Sequence, residues 1–131
     1  MMHFYFSNKA HIFWDDVIEA VVIRWNSVAQ EDEFRVPLNK LIELAVMKKA
    51  KKVLIDKSPN TVMAEDAVWL SSEWLPKLLN AGIQYTATVS PENSITSVDM
   101  RQSIEKNTTQ LSYHDFEDIH NAVGWLSEIS A

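Results

Sequence analysis

The chain has 131 residues, a length typical of one domain and sufficient to bury a core without a metal or disulfide staple. It has no cysteine, which removes disulfides, zinc–thiolate centres, iron–sulfur clusters and thiol nucleophiles, and its two glycines, Gly82 and Gly124, are too few for a phosphate-cradling or dinucleotide loop. Twelve basic and 18 acidic residues give a net charge of −6, which disfavours nucleic acid as a partner.

The first third reads as strands. Phe4-Tyr5-Phe6, Ile12-Phe13-Trp14 and Ala20 to Trp25 are aromatic or β-branched. Ser7-Asn8-Lys9 supplies a turn, and Asp15-Asp16 interrupts before the third run. A helix is expected over about 31–49, with Phe34, Leu38, Leu41, Ile42 and Ala45 at helical spacing. Its acids lie at the start and its lysines at the end, as the helix dipole favours. Pro37 suits only a first turn, so the regular helix is expected to begin between Glu33 and Val36.

Lys52-Val53-Leu54-Ile55-Asp56 is a near-continuous apolar run, the signature of a central parallel strand. A second helix follows from about Ala64 to Ala81. Its expected stripe is Val68, Ser71, Leu75, Leu78 and Leu79, with Trp69 and Trp74 on the flanks, five residues and roughly 140° apart. Pro76 should kink or split this helix, and Gly82 should cap it. Ile83 to Val89 alternates as a strand, residues 94–106 read as a weaker helix, and Gln110 to Tyr113 as a short strand. A last helix is expected over about 115–129, with Phe116, Ile119, Val123 and Leu126 inward. The order β-β-β-α-β-α-β-α-β-α predicts a single α/β domain over residues 1–131. Its mixed sheet would have about five to six strands, the first two paired at an edge and the later ones parallel, flanked by about four helices.

The strings Lys52 to Asp56, Glu65-Asp66-Ala67-Val68-Trp69, Trp74-Leu75-Pro76 and Ala81 to Val89 resemble the STAS/SEC14-like proteins. These are the stage II sporulation AA-like branch of the anti-sigma-factor-antagonist superfamily. Phe34-Arg35 and Ala122-Val123-Gly124-Trp125-Leu126 resemble the same branch. The resemblance implies a mixed sheet flanked by helices and a role in binding partners rather than in chemistry. It also implies a serine phosphorylated at a helix start, after an Asp-Ser-Ser-Gly-type turn. Here Asp56 is followed by Lys57-Ser58-Pro59-Asn60, and Glu65-Asp66 stand near the helix start, so Ser58 is the nearest serine for such a switch. The SEC14-like side of the resemblance implies a lipid or other apolar ligand.

Several residues carry candidate chemistry beside a plainer reading. Asp56 stands at the carboxyl end of the central strand, where open α/β sheets bind ligands, and forms a polar triplet with Lys57 and Ser58; the plain reading is a turn-capping carboxylate. Glu65-Asp66 suits a cation or an amine, or offsets exposed helix N–H groups. Trp69 and Trp74 suit an interface or a ligand pocket if one of them is exposed. Lys48, Lys49, Lys51, Lys52 and Lys57 form a basic cluster fit for phosphate or anionic lipid, or a solvated helix end. His114 and His120 lie six apart, and with Asp115 and Asp118 nearby suggest a metal site less readily than capping or surface roles. No catalytic residue, metal ligand or cofactor is assigned.

The N-terminus shows no signal-peptide pattern and no segment is long enough to span a membrane, so a bacterial cytoplasmic location is expected. The reading that follows is a non-enzymatic STAS-like protein-interaction or regulatory module with a protein partner and a possible homodimer. The alternative is a carrier or sensor of a small apolar or lipid-like ligand, and a third, an enzyme using Asp56.

Overall fold

The computed structural model describes residues 2–26, 32–56, 68–89 and 112–129. Within them six strands form one sheet whose spatial order follows the chain: β1 (Met2–Phe6), β2 (Ala10–Asp15), β3 (Ala20–Trp25), β4 (Lys52–Asp56), β5 (Tyr85–Val89) and β6 (Ser112–Phe116). β1, β2 and β3 run antiparallel, whereas β3 to β6 are parallel. The expected edge pairing of β1 with β2 is present. The short turns explain it: the Ser7 hydroxyl accepts from the N–H groups of Lys9 and Ala10, and the Asp15 carboxylate accepts from those of Val17 and Ile18.

β4 lies between two parallel neighbours and is buried on both faces, as its unbroken apolar run predicts. Val53 and Ile55 join a core with α1 (Asp32–Lys48) and α2, a π-helical stretch Leu70–Trp74 that continues as α-helix Leu75–Asn80. Leu54, Ala87 and Val89 join a second core under α3 (Ile119–Glu128). Helices therefore cover both faces. The expected helix over 94–106 lies outside the described residues. So do the starts of the expected second helix and of the Gln110-Leu111 strand segment.

Several expectations are corrected in detail. α1 begins at Asp32, so Pro37 is its sixth residue; its ring is buried, which offsets the one intrahelical bond that its missing N–H cannot make. β6 runs Ser112–Phe116, which puts Phe116 on the strand and delays α3 to Ile119. The acidic run is the reason, because Asp118 caps α3 by accepting from the His120 N–H at 2.7 Å.

The apolar stripe of α2 is also corrected. Val68 is 65% exposed, while Trp69 and Trp74 are buried. Bonding from i to i+5 gives more residues per turn than an α-helix, so residues five apart fall near one face rather than 140° apart. The π stretch stops one residue before Leu75, with Pro76 in the first turn of the α-helical part, so the expected split at this proline appears as a change of helix type.

Candidate functional site

Of the residues singled out from sequence, Lys57, Ser58, Glu65 and Asp66 lie outside the described residues. Trp74 is a core residue: its ring is 2% exposed and its indole Nε1–H donates to the Leu38 carbonyl at 3.0 Å. Trp69 is buried against the edge of Phe34, and the Arg35 guanidinium stands 5.4 Å from its ring centre. Phe34 stacks in turn on Trp25. Neither Trp69 nor Trp74 offers the exposed face expected of one of them; the half-buried indoles are Trp14 and Trp125. The basic cluster is also smaller than it reads. Lys52 is buried and donates to the carbonyls of Ile18 and Leu126, at 3.1 and 2.8 Å, tying the β2–β3 turn to the end of α3.

Asp56 does stand at the carboxyl edge of the parallel strands. Register puts it opposite Arg24 of β3, and its carboxylate lies 3.5 Å from the Arg24 guanidinium. This pair opens onto a corner of the sheet that sequence reasoning missed. There the Arg24 guanidinium lies over the ring of Phe13, itself buried, and His11 and His3 pack around the same ring. Phe6 completes the corner, edge-on to His11 and 74% exposed.

Strict alternation puts His3 and Phe6 on opposite faces, since they are three residues apart. The register of β1 shifts between His3 and Tyr5, so the bulge returns both side chains to one face, opposite Phe13 and His11 respectively. The bulge has no sequence signal, which is why pattern reasoning overlooks this corner. Its electrostatics are specific. His3 Nδ1 and His11 Nε2 stand 2.7 Å apart. Burial, then the neighbouring His3 and then Arg24 hold the His11 imidazole below its usual pKa.

Two hollows are formed at the opposite, amino-terminal edge of the parallel strands. One, about 290 Å³, is lined by Trp14, Glu19, Lys48, Lys49, Ala50 and Lys51; the other, about 360 Å³, by Leu79, the run Gly82 to Tyr85 and Ser112. Both are open to solvent rather than enclosed. The hydroxyls of Ser7, Ser72 and Ser127 bond to backbone carbonyls, not to imidazoles. His114 lies on β6 against Trp125 and His120 on α3. Among the described residues, no three histidine or carboxylate side chains converge on a metal site. Likewise, no helix there is long and apolar enough to cross a membrane.

No family model matches the chain and no curated protein matches it. Among solved structures it is similar to an uncharacterized protein of the DUF3478 family from Shewanella loihica PV-4, described as having a SpoIIAA-like fold. The likeness covers 93% of this chain and 98% of that one, with a TM-score of 0.60 and 15% identity. The chain therefore has a SpoIIAA-like, that is STAS-like, fold, as the sequence resemblance implied.

Proposed function

We propose that the protein is a non-enzymatic interaction module of the bacterial cytoplasm, which docks a protein partner on the corner built from His3, Phe6, His11 and Arg24, with Asp56 at its rim. One observation carries this reading. Phe6 is a large apolar side chain, 74% exposed and placed by a β-bulge edge-on to the His11 imidazole, on the same corner as the exposed His3 and Arg24. Aromatic residues and arginine are the types enriched at the energetic centres of protein interfaces. A SpoIIAA-like fold supports the reading at the level of fold. The alternative, a carrier of an apolar ligand, calls for an enclosed apolar chamber, and the two hollows lined by described residues are partly open to solvent.

The test is site-specific photo-crosslinking in the native host, with a benzophenone amino acid in place of Phe6 or, as a control, of the still more exposed Val17. The expected result is a discrete protein adduct from position 6 alone, lost when Arg24→Glu is added. Identical adduct patterns from the two positions, or none from position 6, would overturn the proposal.

A further inference from the structure

We infer that His3 and His11 together form a surface site for a divalent transition-metal ion. The two facing nitrogens, His3 Nδ1 and His11 Nε2, come from neighbouring antiparallel strands and are 2.7 Å apart. Without an ion the contact is an N–H···N hydrogen bond, one ring donating and the other accepting according to tautomer, and an incoming cation displaces that proton. Ordinary metal–nitrogen lengths of about 2.0–2.1 Å put two ligands roughly 2.9 Å apart at a right angle and roughly 3.3 Å apart at the tetrahedral angle. At 2.7 Å the nitrogens are closer than in either arrangement, so the two near-parallel rings part slightly to admit an ion.

The surroundings suit a preorganised site. His3 lies opposite Phe13 and His11 opposite Phe6 in the strand register, and the two phenyl rings flank the His11 imidazole at 5.1 and 5.5 Å between ring centres. Such packing fixes ring orientation before an ion arrives. His3 is exposed and His11 half-buried, so an ion enters from water. The charged group opposing a cation is Arg24, and Asp56 at 3.5 Å offsets it. No third histidine or carboxylate joins the pair among the described residues, so water fills the remaining positions and binding is readily reversible.

Calorimetric titration with NiCl2 tests the site, using the full chain with a short N-terminal extension so that the terminal amine cannot contribute. The expected result is one saturable site, weakened at least about tenfold in both His3→Gln and His11→Gln and unchanged in His120→Gln. In the unsubstituted chain, trace Ni2+ should broaden the ring resonances of His3 and His11 together, ahead of those of His114 and His120. Absence of saturable binding into the millimolar range, or binding that survives His11→Gln, would overturn the inference.

Discussion

At Lys49 and at Gly82 the chain leaves a helix through the same pair of hydrogen bonds. After α1, the N–H groups of Lys49 and Ala50 donate to the carbonyls of Val46 and Ala45; after α2, those of Gly82 and Ile83 donate to Leu79 and Leu78. Both are Schellman motifs, which need a left-handed residue just past the helix. Gly82 adopts it freely at φ 100°, whereas Lys49 adopts it at φ 53° with a Cβ that crowds the backbone. Lys49→Gly should therefore stabilise the fold by about 0.5–1 kcal/mol, seen as a higher denaturant midpoint at unchanged slope. An unchanged midpoint would show that the lysine is not strained. Lys52 is the opposite case, a lysine whose position is dictated by its partners. Its two charge-assisted bonds to Ile18 and Leu126 are buried, and removing them in Lys52→Met leaves the Ile18 carbonyl to find another donor. A loss of about 1–3 kcal/mol in chemical denaturation is expected. A variant as stable as the parent would mean that the methionine's packing replaces both bonds.

The helix that pattern reasoning placed least well is α2, and the reason is local. Its residues were assigned to faces at the α-helical angle, whereas the stretch Leu70–Trp74 is wound more loosely. Where a helix keeps α geometry throughout, as in α1, the same reasoning recovers Phe34, Leu38, Leu41 and Ala45 as core. Gly82 and the two β-turns were legible for a different reason, because their residues carry the turn chemistry in their own side chains or lack of one. The π stretch is equivalent to one residue inserted into an α-helix, so its removal is a direct test. Deleting Ser72, whose hydroxyl bonds the Val68 carbonyl on the exposed side, should restore α-helical winding. Trp69 would then turn away from Phe34 and lose its burial while Trp74 keeps its bond to Leu38. The expected readouts are a red-shifted tryptophan emission and a loss of about 2–4 kcal/mol, near that of truncating a buried aromatic. Unshifted emission would mean that the helix start, rather than its winding, directs Trp69 into the core.

Across the whole molecule, sheet order and helix placement decide both what is rigid and what is free to bind. The central position of β4 was legible because Val53, Leu54 and Ile55 face two different cores, and only a strand covered on both sides needs three consecutive apolar residues. The corner at His3, Phe6, His11 and Arg24 was not legible, because it is assembled by a bulge and by pairing across β1, β2 and β3 rather than by any run of residues. β1 has a neighbour on one side only, and its register already slips between His3 and Tyr5. Edge strands with exposed side chains open locally at less free energy than strands that part only when the core unfolds. Amide hydrogen exchange should therefore find Val53 to Ile55 the most protected, with exchange governed by global unfolding. The β1 amides that pair with β2 should exchange at least about tenfold faster, a gap of about 1.4 kcal/mol or more. Protection in β1 equal to that of β4 would show that the corner unfolds only with the whole sheet. Such a corner would bind as a rigid surface, and a partner or metal ion seated there would slow exchange in β1 and β4 alike, because it raises global stability by RT ln(1 + L/Kd) at free ligand concentration L.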